Sequence, residues 1–191
     1  MKKLRLILVT LALTLGLSQC AAPLILAGGA GALGYYFGAE RRDADTITED
    51  EKAQARMIEL MRQAGLDVNN IEVMTYNHKM LLVGAVPTEA DLQLLNRLAR
   101  QVPYVRKVYN RVRVGAPRTP DRAREDGWIA AKVKAEMVKT KGLTSAAIRY
   151  TVYDGTVYLM GLVSKQEAQK AIAAASRVKG VRKVVDAMDR L

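Results

Sequence analysis

The feature that most constrains this sequence is a β-hairpin pattern that occurs twice. At residues 148–163, two runs of β-branched and aromatic residues flank Asp154-Gly155. Asp-Gly favours a two-residue type I′ turn, because that turn needs positive φ at both central positions. Residues 71–86 carry the same pattern 77 positions upstream, with Asn77-His78 at the turn. The chain is therefore predicted to contain two copies of one structural unit.

The repeat extends beyond the hairpins. The run Val-Arg-Lys-Val at 105–108 recurs at 181–184, a spacing of 76 positions. Apolar residues at helical spacing predict one helix before each hairpin and one after it, and each Val-Arg-Lys-Val run leads into a third strand. Each copy thus has the order α-β-β-α-β, over residues 46–115 and 126–191. Residues 116–125 contain two prolines and are predicted to be a short, stiff linker.

The first helix of each copy has its own signals. Thr46 or Thr48 is predicted to cap the first helix of the first copy, with acidic residues in the following turn. In the second copy this helix is predicted at about residues 127–141, and Ile129, Val133 and Met137 share its core face.

The front of the chain indicates export. Residues 1–19 have a basic start and an apolar run, which is the layout of a bacterial signal peptide. The following Cys20, the only cysteine, completes a run that resembles a lipobox, so it is expected to be lipidated and to become the mature first residue. Gln19 departs from the small residue usual before that cysteine, which leaves an uncleaved anchor open. Ala21 rather than Asp after the cysteine implies sorting to the outer membrane.

Residues 20–45 are predicted to be a tether close to the membrane. Residues 21–38 are apolar and rich in glycine and alanine, and at 18 residues they are just long enough to span a bilayer. Pro23 and five glycines oppose a helix, however, which favours a flexible tether over a true span.

The repeated unit resembles the BON domain, named for bacterial OsmY and nodulation proteins. Gly-Leu-Val at 161–163 closes the second strand, and Val-Lys-Gly-Val at 178–181 precedes the third, as in that family. The first copy keeps Gly-Ala-Val at 84–86 but has Pro103-Tyr104 where the second copy has Lys-Gly. Two such units behind a lipoprotein signal resemble the dual-BON outer-membrane lipoproteins.

The resemblance implies an α+β fold, in which each domain has a small three-stranded mixed sheet covered by two helices. It also implies a non-enzymatic protein on the periplasmic face of the outer membrane, whose second domain binds anionic phospholipid, with phosphatidylglycerol and cardiolipin as the expected lipids. Such proteins support envelope integrity and localise to division sites.

Catalytic and metal-site chemistry has little support in this sequence. One histidine and one cysteine cannot build a His/Cys metal site or a Cys–His pair. His78 is expected to be a solvated turn residue, and Glu136 and Glu167 are expected to be ordinary helix surface charges. No enzyme activity, cofactor, metal or small-molecule substrate is predicted.

The candidate binding surface is the first helix of the second copy. At 100° per residue, Trp128 lies beside the core face, among small apolar residues flanked by lysines. The predicted phospholipid-binding residues are Trp128, Lys132, Lys134, Ala135, Val138, Lys139 and Lys141. An indole with surrounding lysines suits an anionic headgroup layer. The alternative is that Trp128 covers the core of the second copy and the lysines form a solvated face.

The second strand of the later hairpin is apolar on both faces. Tyr158, Met160 and Leu162 lie on one face, whereas two helices cover only the opposite one. Packing of one copy on the other is the simplest cover. The alternative is a surface for self-association or for an envelope protein partner, which would make the protein an interaction scaffold.

Positive charge is concentrated in the second copy. Residues 126–191 hold 12 basic and 6 acidic residues, whereas residues 46–115 hold 10 and 8. This asymmetry indicates an anionic partner for the second copy. Nucleic acid is excluded as that partner if the chain is exported. The basic pairs at 106–107 and 182–183 are expected to be edge-strand charges that oppose aggregation.

Overall fold

The computed structural model describes residues 40–191, which form two α-β-β-α-β units in tandem. The first unit comprises α1 (Ala44–Gln63), β1 (Ile71–Tyr76), β2 (Lys79–Val86), α2 (Glu89–Ala99) and β3 (Lys107–Val114). The second comprises α3 (Pro120–Lys139), β4 (Ile148–Tyr153), β5 (Thr156–Val163), α4 (Lys165–Ser176), β6 (Lys183–Asp186) and β7 (Asp189–Arg190). The predicted signal, Cys20 and the predicted tether as far as residue 39 lie outside the described residues.

The first helix of each unit begins earlier than the sequence predicted. Asp43 caps α1, since its carboxylate accepts a hydrogen bond from the Thr46 amide at 2.7 Å. Thr119 caps α3, and Pro120 takes the first helical position, where the absent amide hydrogen would have no partner in the helix. The end of the predicted tether and half of the predicted linker are therefore helical.

Each sheet is mixed, as the fold prediction required. In the first unit β2 is central, antiparallel to β1 and parallel to β3. In the second unit β5 is antiparallel to β4 and parallel to both β6 and β7, which replace the single last strand predicted at 181–190. The two hairpins share one register, because Ile71 pairs with Gly84 as Ile148 pairs with Gly161.

The hairpin turns have the predicted conformation. Asn77 and His78 have φ of 52° and 59°, and Asp154 and Gly155 have φ of 51° and 71°. Positive φ at both central positions is the type I′ requirement. The turn chemistry of the sequence is confirmed in both units.

Glycine closes each second strand because the backbone approaches closely there. A Cβ at Gly84 would lie 2.1 Å from the Asn70 carbonyl oxygen, and one at Gly161 would lie 2.6 Å from that of Ala147. Both carbonyls belong to the short 3-10 helices, Val68–Asn70 and Ser145–Ala147, that precede β1 and β4. The repeated glycine thus lets the incoming chain pack on the central strand.

Each unit has its own core between its helices and one face of its sheet. Met57, Met80 and Leu95 are fully buried in the first core. Val133, Leu159 and many alanines of α4 fill the second core. The predicted core face of α3, with Ile129, Val133 and Met137, is confirmed.

The opposite sheet faces of the two units pack on each other. This third apolar cluster contains Tyr76, Leu81, Val83, Tyr153, Tyr158, Met160 and Ala187. Tyr158 is 9% exposed and Met160 is 1% exposed, and the half-buried Leu162 packs against the same cluster. Packing of one unit on the other, which was predicted to cover the second apolar face of β5, is therefore observed. The expected partner surface at Tyr158, Met160 and Leu162 is not free, because the first unit occupies it.

Polar contacts at the margins of this interface complete the packing. Lys79 forms an ion pair with Asp189, and the side-chain Nδ2 of Asn77 donates to the same carboxylate at 2.9 Å. Arg118, between the two units, binds Glu72 at 2.7 Å. Among residues 40–191, no helix has both the length and the apolar character that crossing a bilayer requires.

Candidate functional site

The predicted binding residues lie on α3 and just beyond its carboxyl end, and together they are here called the α3 face. Its members are Trp128, Lys132, Lys134, Ala135, Val138, Lys139 and Lys141, and all seven are exposed. Trp128 is 70% exposed and Val138 is 62% exposed, whereas Ile129 and Val133 on the other side of the helix are buried. Trp128 does not cover the core of the second unit.

Few acidic side chains pair with the lysines of the α3 face. Lys139 lies 3.6 Å from Glu136, a solvent-exposed pair of small energetic value. Lys132, Lys134 and Lys141 form no ion pair with any of residues 40–191. A positive surface with an apolar centre results, in which the charges are available to an external anion.

Two further basic side chains, those of Lys170 and Arg41, lie near the carboxyl end of α3. The Lys170 ammonium donates to the carbonyls of Lys141 and Gly142 at 3.1 and 3.2 Å, which adds a lysine from α4 beside the α3 face. The Arg41 guanidinium lies 3.3 Å from the Thr144 hydroxyl, three residues beyond Lys141. The chain therefore enters the described fold beside the lysine-rich end of α3.

Residues 40–42, here called the N-terminal clasp, bind both units. Arg41 forms a two-point ion pair with Glu167, with both N–O distances at 2.8 Å, and donates to the Leu162 carbonyl at 3.0 Å. These hydrogen bonds hold the pKa of Glu167 far below its usual range, although burial opposes the shift. Glu167 is 9% exposed and also caps α4 with Ser164, so it is not the ordinary surface charge that the sequence suggested.

Arg42 ties the clasp to the first unit. Its side chain is 1% exposed, contacts Asp50 at 2.6 Å and Glu40 at 2.7 Å, and lies 3.9 Å from the centroid of the Tyr76 ring. Burial alone would raise the pKa of Glu40, but the hydrogen bonds from Arg42 outweigh it and lower that pKa to about 2. Burial raises the pKa of Tyr76 to about 12. The buried arginine is thus paired on two sides and stacked on a third.

A buried carboxylate on α1 holds the first hairpin turn. Asp50 is 2% exposed and accepts hydrogen bonds from the backbone amides of Asn77 and His78 at 2.7 and 2.9 Å. Since Arg42 neutralises it, the carboxylate is fully partnered.

The second unit repeats this arrangement. Asp126 is 2% exposed, accepts from the amides of Asp154 and Gly155 at 2.7 and 2.8 Å, and pairs with Arg118 at 2.9 Å. Arg118 lies 4.6 Å from the Tyr153 ring centroid. Both the arginine and the aspartate recur at the 76-residue spacing of the third strand, a signal that could have identified them in the sequence.

No metal-binding cluster is found in the described part of the chain. Residues 40–191 contain no group of three or more His, Cys, Asp or Glu side chains placed to hold a metal ion. The side chain of His78 is only 12% exposed, with its ring 3.2 Å from the Tyr104 carbonyl and 3.6 Å from Glu49. The turn position was predicted, but the ring is packed rather than solvated.

Comparison with known families agrees with the two units. The BON domain family model matches residues 49–116 and again residues 125–190. The chain belongs to the BON family. The two matches correspond to the two α-β-β-α-β units of the structure.

The chain is also similar to individual bacterial proteins. The chain is 30% identical to a 21 kDa hemolysin of Actinobacillus pleuropneumoniae over 146 residues, which is 75% of each protein. It is 27% identical to the outer membrane lipoprotein DolP of Haemophilus influenzae over 180 residues, covering 93% of this chain and 91% of DolP. The likeness to a dual-BON protein of the DolP type therefore extends along almost the whole chain.

The fold was also compared with solved structures. The C-terminal domain of CdsD, a structural protein of the type III secretion system of Chlamydia trachomatis, aligns over 72% of this chain and 96% of that domain. Its TM-score is 0.31 and its sequence identity is 12%, which are too low to support an argument about function.

Proposed function

We propose that this chain is a non-enzymatic, lipid-anchored protein of the outer membrane whose second BON domain binds anionic phospholipid through the α3 face. The observation that carries the proposal is the 70% exposure of Trp128 beside lysines without ion pairs. An exposed tryptophan with lysines on the same helix suits contact with an anionic surface.

The proposed contact has a simple chemistry. The Trp128 indole enters the headgroup layer while Lys132, Lys139 and their neighbours meet lipid phosphates. Each lysine near an anionic surface contributes about 1 kcal/mol, so the lysines together give reversible binding. A lipid anchor on Cys20 keeps the local concentration of phospholipid high, and weak intrinsic affinity is then sufficient.

The proposed location follows from the front of the chain and from the relatives. The signal-like residues 1–19, Cys20 and Ala21 support lipidation and sorting to the outer membrane. DolP of Haemophilus influenzae, an outer membrane lipoprotein, supports the same compartment. Arg41 beside the lysine-rich end of α3 supports a membrane-facing orientation of that end. Phosphatidylglycerol or cardiolipin as ligand, a role in envelope integrity and recruitment to division sites complete the proposal, from the family resemblance.

The scaffold alternative has less support. Its proposed partner surface at Tyr158, Met160 and Leu162 is covered by the first domain. A protein partner of the first domain would need another surface.

Vesicle binding tests the α3 face. Residues 38–191, without the anchor, are sedimented with phosphatidylglycerol vesicles, with Trp128→Ala and with Lys132→Glu. Each substitution is expected to remove about 1 kcal/mol or more of binding free energy, which corresponds to at least about fivefold weaker binding. Lys52→Glu is the matched control, because Lys52 is an exposed helical lysine of the first domain. Equal binding by all four proteins contradicts the site.

The anchor is tested separately. Mass spectrometry of the mature amino terminus is expected to find a diacylated Cys20. An unmodified thiol on an intact chain from the cytosol contradicts the proposed location.

A further inference from the structure

A basic cleft lies at one edge of the interface between the two domains. Two cavities of about 340 and 270 Å³ share Arg111, Thr156 and Tyr158 as lining residues, so they adjoin. Their volumes are near the lower end of the range for small-ligand sites. Here the basic cleft means both cavities, which Arg113, Tyr153, Arg182 and Lys183 also line.

Strand alternation brings positive charge from both domains into this cleft. On β3, Val112 enters the core of the first domain, so Arg111 and Arg113 lie on the sheet face toward the second domain. On β6, Val184 packs against the core of the second domain, while Val185 packs in the interdomain cluster. Lys183 shares its face with Val185. The cleft is thus a composite of the two repeated units.

The positive charges are not balanced within the protein. Asp154 is the one acidic lining residue, and it already pairs with Arg182 at 2.8 Å and with Arg122 at 2.9 Å. Arg111, Arg113 and Lys183 form no ion pair with any other part of residues 40–191. Three cations converge on a groove without a protein anion to meet them.

Tyr153, one of the residues that line the cleft, has a buried hydroxyl without a partner among residues 40–191. Tyr153 is 6% exposed, and its hydroxyl is one of two buried side-chain polar atoms without a hydrogen bond in the described part of the chain. A buried hydroxyl without a hydrogen bond is costly, so the site is incomplete in polar terms. Burial raises the pKa of Tyr158 beside it, and the positive charge of Arg111 partly offsets that shift.

We propose that the basic cleft binds a phosphate group, held by Arg111 and Arg113 with Lys183 and the Tyr153 hydroxyl as further donors. Planar guanidinium groups match phosphate oxygens with paired hydrogen bonds. The ligand is an organic phosphate, whose source is either a phospholipid headgroup or a soluble phosphate ester. The residues belong to β3, β6 and the second hairpin, so this site is separate from the α3 face and does not depend on the function proposed for it.

Calorimetric titration of the full-length protein in nonionic detergent tests the proposal, with glycerol 3-phosphate as the soluble probe. Arg111→Gln with Arg113→Gln is expected to weaken binding by about tenfold or more, because two charge-assisted contacts are lost. Tyr153→Phe, which keeps the apolar packing, is expected to weaken binding severalfold. Lys52→Gln with Arg56→Gln removes the same charge from exposed α1 positions and is expected to bind like the natural protein.

Two results would overturn the assignment. One is the absence of glycerol 3-phosphate binding by the Trp128→Ala variant, whose cleft is intact, also when the phosphate is presented as phosphatidylglycerol in the micelle. The other is equal weakening in the cleft variant and in the α1 control, which would reflect net charge alone. Binding of the Trp128→Ala variant in both arms identifies the phosphate as sufficient, and its binding only in the micelle identifies the lipid as the source. Trp128→Ala, which impairs only the α3 face, is expected to leave the soluble arm unchanged.

Discussion

Replacement of Asp126 by asparagine tests how the hairpin turn of the second domain is held. The substitution keeps the shape of the side chain and removes its charge. The two carboxylate oxygens accept three hydrogen bonds, from Arg118, the Asp154 amide and the Gly155 amide, at 2.9, 2.7 and 2.8 Å. In the better orientation, the asparagine oxygen keeps two of these donors and its NH2 group meets the Gly155 amide, which is also a donor.

The cost follows from burial and from what Arg118 retains. Breaking a buried ion pair by removing one partner costs about 3–5 kcal/mol. Arg118 keeps Glu72 at 2.7 Å and the Val152 carbonyl at 3.0 Å, so its charge is not left alone and the lower end of that range applies. We expect Asp126→Asn to lower the free energy of unfolding by about 3 kcal/mol and the melting temperature by about 6–12 °C for a protein of about 150 residues.

Urea and thermal unfolding of residues 38–191, followed by circular dichroism, measure this effect. Asp121→Asn is the matched control, because Asp121 lies on the same helix with its side chain 81% exposed. That variant is expected to lose less than about 1 kcal/mol. If Asp126→Asn unfolds within about 0.5 kcal/mol of the natural protein, or if both variants lose the same stability, the buried carboxylate does not hold the turn.

Three further predictions concern the clasp and the strand glycines. The pKa of Glu40 is about 2 in the folded protein and 4.5 ordinarily, so its stabilising effect of up to about 3 kcal/mol is present above pH 4.5 and is lost as the pH falls through 2. Glu40→Gln should therefore flatten the acid limb of a plot of unfolding free energy against pH. An unchanged plot would contradict the pairing of Glu40 with Arg42. Arg41→Ala should destabilise the protein by about 2–3 kcal/mol, because the buried Glu167 loses its partner. Arg62→Ala, which removes an exposed ion pair with Glu59, should destabilise it by less than about 1 kcal/mol. Gly161→Ala should lower the free energy of unfolding by about 1–3 kcal/mol, because the added Cβ clashes with the Ala147 carbonyl. Gly127→Ala should raise it by up to about 1 kcal/mol, because Gly127 lies on α3 with open space around it. Equal effects of the two substitutions in chemical unfolding would refute the close approach of the backbone at Gly161.

Local chemistry explains which parts of the fold were predictable. The turn residues Asn77-His78 and Asp154-Gly155 set their own backbone angles, so both hairpins were evident in the sequence. The two-sided apolar pattern of β5 required a second cover, and this predicted the face-to-face packing of the domains. The starts of α1 and α3 were missed because Asp43 and Thr119 lie in charged or proline-containing segments that are typical of linkers.

The candidate site divides in the same way. The α3 face was predictable, because helical periodicity alone separates Trp128 from the core residues. The partner of Glu167 was not predictable, since an ion pair with Arg41, a distant segment of the chain, leaves no local pattern. The pair of Arg118 with Asp126 left a signal that was missed, because the same two residue types recur in the first domain as Arg42 and Asp50. The basic pair Arg182-Lys183 was interpreted as edge-strand charge, and β6 is an edge strand of its sheet. What the sequence did not indicate is that both residues also line a cleft that includes residues of the other domain.

The N-terminal clasp determines how mechanical load would enter the protein. Although the residues before Glu40 precede the first domain in sequence, Arg41 is fastened to the second domain and Arg42 to the first. A force applied to the preceding chain would therefore pull on both domains at once rather than peel α1 away from the rest. Tension would then be shared between the Arg41–Glu167 and Arg42–Asp50 ion pairs before it reached the end of any one helix.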